Sequence, residues 1–543
     1  MAETERQRIS LPLAITLIML SVPFLSIASS WYGDAPELEE TEIEKMMTGS
    51  GVEVIDVSVG GEHACAVLSN GSAYCWGANY VGQLGNGVDV TDGFGESHIP
   101  VRVELPEGKV PVQISLGDEH GCALTQSGEV LCWGNNDFGQ VGSGVADGGF
   151  VNSPEYVSFG TASASGISHI SAGSDHTCAI KDIGIAYCWG NYGDGQLGNG
   201  DDGGEYHYFG TEVSFDWEAN GGQPGYNASS ITAGVHHTCM IVSNDTISRD
   251  MYCWGEGQSG QLGAGSNDSS NTPTRVLMDL ADGDGYWGSV ELGDGHTCGT
   301  YFFGLNYSAY CWGANHDWQY GDGGESQNGG GAEPSNSPVG VHIPGDGAAS
   351  DWDGVFGLSI GRHACMSGQR NLADGVTDYP LVCWGPNNVG QLGNGSTSDI
   401  STVPVETSII GLVTDFSVGD GTSCAIVNDS QLYCWGENDH GQLATPPANS
   451  WEESYVPYSA DPLLVEFPDQ SSVSDGQGVL ATASQVDSGD SHTCAILVNG
   501  SVSCWGDGDY AALGLGDQED RLSPSTIPSL GPGRFAVSIS AGD

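Results

Sequence analysis

The sequence predicts an all-β protein, a β-propeller of four-stranded antiparallel blades. Eight blades are expected, and seven blades with one displaced repeat is the alternative. Three observations carry this expectation. The phrase "HACAVLSNGSAYCWGANYVGQLGNG" from His63 returns as "HGCALTQSGEVLCWGNNDFGQVGSG" from His120 and "HTCAIKDIGIAYCWGNYGDGQLGNG" from His176, and altered forms bring the copies to eight. First cysteines of successive copies stand 56 to 70 residues apart, a period typical of propellers and solenoids. Glycine supplies 85 of the 543 residues without a collagen period, which means many turns.

The N-terminus reads as a targeting segment. Arg6 and Arg8 precede an apolar run from Ile9 to Ala28, and Ser26 and Ala28 make a small-x-small cleavage pattern. Residues 1–28 are expected to be a signal peptide or an N-terminal membrane anchor, since a run of about 20 residues also suffices to span a bilayer. Pro12 and Pro23 weigh against the anchor. Residues 29–51, with "GDAPELEETEIEKMMTGS", read as an acidic linker. Residues 52–543 are expected to form the propeller, outside the cytoplasm, secreted or at the cell surface.

Each unit reads as four strands. In the first, "EVIDVSVGG" precedes His63, the cysteine hairpin supplies the second and third, and the fourth is expected to follow a proline, as in "PVRVEL" from Pro100. Similar prolines are Pro154, Pro273, Pro338, Pro404 and Pro524. Four short antiparallel strands per unit make a propeller blade.

The cysteines fall in eight local pairs: Cys65 with Cys75, Cys122 with Cys132, Cys178 with Cys188, Cys239 with Cys253, Cys298 with Cys311, Cys365 with Cys383, Cys424 with Cys434, and Cys494 with Cys504. An even set in an exported chain favours disulfides. Asn70-Gly71 marks a hairpin turn, and folding there sets Cys65 opposite Cys75 and Trp76 opposite Ala64. Trp76, Trp133, Trp189, Trp254, Trp312, Trp384, Trp435 and Trp505 each follow the second cysteine, and the residue before the first is always small. An indole facing a small partner suits cross-strand packing. Disulfide and indole then lie on opposite faces of the hairpin.

Two other roles for these residues weigh less. His63 and Cys65 share a strand face, and the pattern recurs at His120, His176, His237, His296, His363 and His492, with Thr422 in the seventh copy. Zinc would need both thiols free in an oxidising compartment. A redox centre would need an exposed, activated thiolate, and eight equivalent pairs argue against one. The histidine is expected to be scaffold, its ring bonded to neighbouring backbone.

The frame of "GxxHxCA", "YCWGxN" and "GQLGxG" resembles the regulator of chromosome condensation repeat, in its exported, disulfide-bearing form, over residues 52–543. "GQLG" stands at Gln83, Gln196, Gln261 and Gln391, and "GQVG" at Gln140. Gln319 ("WQYG"), Gln442 ("GQLA") and Leu513 ("AALG") mark departures. The resemblance implies a β-propeller, commonly seven-bladed. Here eight hairpins and a closing "RFAVSISAGD" favour eight blades, closed by pairing near the termini. The family's namesake exchanges nucleotide on a small GTPase; other members are binding platforms, and the resemblance implies a scaffold with binding on its loops.

Composition narrows function further. Lys plus Arg number 12 against 70 Asp plus Glu, a net charge of -58, which opposes nucleic-acid binding. No nucleic-acid partner is expected, and membrane contact is expected only through the N-terminal segment. No phosphate loop, "HExxH" or strand-helix "GxSxG" is present. The expectation is a non-enzymatic scaffold for a protein or a glycan. The alternatives are an enzyme hidden in an insertion and a nucleotide-exchange regulator. No cofactor is expected beyond structural calcium in loops at Asp282, Asp322 and Asp507, which turn chemistry also explains.

Sequons at Asn70, Asn227, Asn244, Asn267, Asn306, Asn394, Asn428 and Asn499 are glycosylation candidates. Three enlarged connections, 199–226, 315–338 and 444–477, carry Tyr206, His207, Tyr208, Phe209, Trp217, Trp318, Tyr320, Trp451, Tyr455 and Tyr458. All follow the same position of their repeat. They are expected to gather on one rim, with Tyr206, Tyr208, Trp217, Trp318, Tyr320, Trp451 and Tyr455 binding a partner.

Overall fold

The structure, a computed structural model, describes residues 52–90, 95–145, 149–182, 184–201, 207–215, 227–243, 249–278, 285–303, 306–323, 333–342, 352–371, 377–398, 400–428, 431–444, 457–467, 483–489, 491–498, 501–509, 512–527 and 534–536. Both expected N-terminal segments lie outside them.

Eight antiparallel sheets follow one another along the chain, so the eight-bladed expectation holds. In blade 1 the strands are Val52–Val59, His63–Leu68, Ala73–Ala78 and Glu96–Arg102, paired in that order. Cys65 stands opposite Cys75 and Trp76 opposite Ala64, and the equivalent pairing recurs in every blade. All eight local disulfides are formed, with Cα–Cα separations of 4.0–4.1 Å.

The prolines need a correction. Pro100 lies within the fourth strand rather than before it, as do Pro154, Pro273, Pro338, Pro404 and Pro524. The register opposite slips between Cys75 and Gly77, which pair with Val101 and Ser97. A bulge on an outer edge strand tolerates a residue with no N–H to give.

The core sits between blades. Cys65, Val67 and Cys75 of blade 1 pack with Trp133 of blade 2, and Trp76, on the other face, packs with Ile496 and Leu513 of blade 8. Eight such clusters join eight neighbours, so the ring closes. Arg534–Ala536 adds to the closure by running parallel to Val52–Val54.

Among the described residues, the first strands of blades 2 to 8 have one edge unpaired by strand. Side chains of the preceding blade satisfy that edge. Ile114 N–H donates to Asp56 Oδ2 at 2.6 Å and Leu116 N–H to Ser58 Oγ at 3.0 Å. Ile170 and Ala172 repeat this with Gln113 and Ser115, and Val486 and Ser488 with Asp415 and Ser417. A buried N–H without a partner would cost about 1–3 kcal/mol, so these polar residues are structural. Burial dominates at Asp56 and Asp415 and pushes both carboxyls up to about 7.

Candidate functional site on the acidic loop face

The loop after each third strand has a fixed internal logic. Asn79 Oδ1 accepts from Leu84 N–H, and Gln83 Oε1 from Val81 N–H; Asn136 and Gln140 repeat the pair. The backbone carbonyl of the same Gln accepts the indole N–H of the next blade: Trp133 on Gln83, Trp189 on Gln140, Trp254 on Gln196, at 2.8–2.9 Å. Gly85, at φ 59°, presses on Trp133, and a Cβ there would approach the indole within 2.8 Å. In "GQLA", Ala444 takes the same left-handed conformation, at φ 55°.

The repeated histidines belong to this joint. Where the next blade offers a hydroxyl they bond it, a partner the sequence reading did not expect: His176 to Thr238 Oγ1, His237 to Thr297 Oγ1, His363 to Ser423 Oγ. Those hydroxyls donate in turn to Gln196, Gln261 and Gln391 carbonyls, so each accepts from histidine Nε2–H. Burial pushes His176, His237 and His363 down to about 3, and they stay neutral. With every cysteine in a disulfide, no thiolate stands beside them to hold zinc.

Chain direction sorts the loops onto two faces. First-to-second-strand turns and third-to-fourth-strand loops open on one, the loop face. Cysteine hairpin tips and blade-to-blade connections open on the other, the hairpin face. On the loop face the inner turns hydrogen-bond around the axis, Gly61 N–H to Asp118 O and Asp118 N–H to Ser174 O. These turns carry Glu62, Asp118, Glu119, Asp175, Asp294 and Asp420. Partial burial, then Asp118 and Glu119, push the Asp175 carboxyl up to about 6, against His236. Burial and Glu119 raise Glu62, and burial with Asp439 and Asp420 raises Glu437.

The cations stand elsewhere. Arg102, Lys109, Lys181, Arg249, Arg275 and Arg370 occupy strand ends or connections on the hairpin face. Lys109 pairs there with Glu129, Arg275 with Asp250, and Arg370 with Asp378. Among the described residues, only Arg362 and Arg521 reach the loop face, beside Asp317 and Asp517.

The loop face also holds a cleft of about 320 Å³ between blades 3 and 4. Tyr192, Asp194 and Asp201 line one side and Ser269, Ser270 and Asn271 the other. His236 Nδ1 stands 3.3 Å from Asp194, and His207 Nε2 3.1 Å from Asp201. Tyr192, His207 and Phe209 meet edge to face.

Of the seven aromatics expected on one rim, Tyr208, Trp318 and Tyr320 lie within the described residues. The fourth strands His207–Glu212 and Tyr458–Leu464 run through two of the enlarged connections, and Ser335–Gly340 occupies the end of the third. Segments before and after a strand open on opposite faces. Tyr320 is fully buried: it takes the Leu place of "GQLG", and its hydroxyl bonds Gly313 O and Ser335 N. Trp318, half-buried, sits at φ 61° in the preceding turn. Tyr208 is half-buried on an outer strand against Gly139. Tyr206, Trp217, Trp451 and Tyr455 lie outside the described residues, as do Asn244, Asn499 and Asp282. Asn70, Asn227, Asn267 and Asn428 are exposed, Asn394 is half-buried, and Asn306 begins the strand Asn306–Gly313. Sequence reading missed Tyr192, Asp194 and Asp201, because no single copy shows which loops of neighbouring blades will converge.

Among the described residues, one group of three side chains has the donors for a cation. His440 Nδ1 lies 3.6 Å from Asp507 Oδ2 and 3.5 Å from Asp520 Oδ2. Asp507 belongs to one of the loops flagged for calcium. Asp322 belongs to another, and its residue is buried.

Comparison with known proteins agrees with the repeat reading. The profile of the regulator of chromosome condensation (RCC1) repeat matches residues 70–124, 127–180, 250–299, 382–426, 429–496 and 499–543. A second profile of the same description matches 54–83, 112–140, 167–196, 413–442 and 483–511. Ultraviolet-B receptor UVR8 of Arabidopsis thaliana is 28% identical over 481 residues, covering 88% of this chain and 82% of its own. E3 ubiquitin-protein ligase HERC2 of Homo sapiens is 30% identical over 223 residues, 41% of this chain but 4% of that protein. Human WBSCR16 (TM-score 0.53, 19% identity, 76% of this chain and 97% of that one) and yeast RCC1 bound by Kap60 (TM-score 0.51, 20% identity, 74% and 84%) share the fold. With repeat profiles over more than half its length, the chain belongs to the regulator of chromosome condensation repeat family.

Proposed function

We propose that this protein is an exported, non-enzymatic interaction scaffold whose loop face captures a basic protein partner. The segregation of charge carries the reading: carboxylates crowd the loop face while nearly all described Lys and Arg stand on the other. Eight disulfides and the N-terminal apolar segment support export. Yeast RCC1, which shares the fold, has been solved with a protein, Kap60, bound to it. A fixed, crowded set of carboxylates holds strong negative potential and steers cations toward it.

The test is binding of a short Lys/Arg-rich peptide to the full chain at low and high salt. Binding should weaken about tenfold or more between 50 and 200 mM salt, roughly as for other multi-charge contacts. Glu62→Gln/Glu119→Gln/Asp175→Asn should weaken it further, while Glu129→Gln/Glu155→Gln on the hairpin face should not. Equal loss from both sets would overturn the reading. Fractionation with N-terminal sequencing checks export: a cytoplasmic protein beginning at Met1 would contradict it.

A further inference from the structure

On the acidic loop face, carboxylates flank a cleft between blades 3 and 4. Asp194 and Asp201 approach from two turns of blade 3, and Ser269, Ser270 and Asn271 form the wall across from them. The backbone fixes this geometry. Gly200 N–H donates to Asn271 O at 2.8 Å, and Asn271 Nδ2 donates to Asp201 O at 3.1 Å. Asp194 N–H is held by Gln196 Oε1 at 2.9 Å. The two carboxylates therefore sit on turns locked to each other and to the neighbouring blade. His236 and His207 approach them from the flanks.

We propose that this cleft recognises an arginine side chain of the partner, a reading that rests on the function proposed above. Volume, charge and shape fit. A cleft of about 320 Å³ is at the small end of ligand sites, enough for one long side chain. A guanidinium presents five N–H donors in a flat fork, and carboxylates and hydroxyls supply acceptors on both walls. A flat aromatic ring at the cleft edge adds stacking that guanidinium exploits better than ammonium. No Lys or Arg lines the cleft. A neutral sugar would use the hydroxyls and the ring but leave two carboxylates without a counter-charge, so the cation is favoured.

The experiment measures fluorescence anisotropy of labelled peptides with the full chain. The probes are Gly-Arg-Gly-Arg-Gly, its lysine counterpart and its citrulline counterpart, the last being a neutral isostere of arginine. The arginine peptide should bind about tenfold more tightly than the lysine peptide, and citrulline should abolish binding. Asp194→Asn/Asp201→Asn should weaken the arginine peptide about tenfold, and Tyr192→Ala should reduce the preference for arginine over lysine. Asp507→Asn/Asp520→Asn, on the same face at blade 8, should weaken the arginine peptide clearly less than Asp194→Asn/Asp201→Asn does. Tyr192→Ala keeps the test decisive should the double variant fail to fold. Equal binding of arginine and lysine peptides, or equal loss in both Asp→Asn pairs, overturns the cleft while the acidic-face reading survives. Binding of no cationic peptide to the folded chain overturns both. Displacement of the arginine peptide by a neutral oligosaccharide would make the cleft a glycan site and overturn the inference.

Discussion

The seam between blades 3 and 4 and the seam that closes the ring are built on one plan with different completeness. In the first, His176, Thr238, the Gln196 carbonyl and Trp254 form an unbroken relay. At the closing seam Ala64 stands where Thr238 stands, so that position offers His492 no hydroxyl. Trp76 donates to Ala512 O at 3.1 Å, and its ring is 4% exposed against 0% for Trp254. The 1–2 and 5–6 seams show the same gap, at Gly121 and Ala364. There the His63 ring and His296 Nε2 are buried without partners. The difference teaches that the indole carries the joint, and the histidine is useful only where a hydroxyl receives it. The closing seam is reinforced instead by the strand Arg534–Ala536.

Breaking the indoles should show the largest effect. Trp254→Ala should cost about 3–5 kcal/mol, and Trp76→Ala a value toward the low end, read by denaturant melts. Equal losses at the two seams would erase the contrast. Next comes the staple: Cys239→Ser/Cys253→Ser should cost roughly 2–3 kcal/mol on the chain-entropy argument, by thermal melting under non-reducing conditions. Mass mapping of the unaltered protein should meanwhile find each bridge within its own hairpin.

A subtler change targets the hydroxyl itself. Thr238→Val leaves His176 Nε2–H without its acceptor at nearly constant volume, and should cost about 1–3 kcal/mol. Ala64→Ser offers His492 the missing acceptor and should gain up to about 1 kcal/mol. A loss from Ala64→Ser would show that this seam has a geometry of its own.

Acidity should give the smallest and most general response. The relay histidines, depressed to about 3–4 in the fold, bind protons first when unfolded, so stability falls as pH drops below about 6.5. Asp56, Asp415 and Glu291, raised to about 7, pull the opposite way. They favour the fold as pH drops from 7 toward 4. The histidines outnumber them, so melting temperature should fall between pH 6 and 4. His176→Gln should flatten that fall. An unaltered slope would mean that His176 already carries a proton in the fold.

Much of this was legible in the sequence because local rules set it. Cysteine spacing, the Asn70-Gly71 turn and the indole facing a small residue each concern a few adjacent residues, and all three held. The residue before the first cysteine was read only as small. Its division into Thr or Ser against Ala or Gly decides whether a relay forms, and that signal was present but unread. Tyr320 misled because an aromatic in an enlarged loop looks like a binding residue, yet it simply fills the place of leucine. The cleft was beyond reach, since Asp194 and Asn271 meet only once two blades are docked.

Sixteen cysteines allow on the order of two million pairings, yet every bridge here closes within 10 to 18 residues and none crosses a blade boundary. Each hairpin can therefore be oxidised as soon as it has been synthesised and meets an oxidant, before its neighbours exist. Bridges formed in order of synthesis leave few free thiols to shuffle. Blade docking is then the late step of maturation, and the last seam to form needs both ends of the chain.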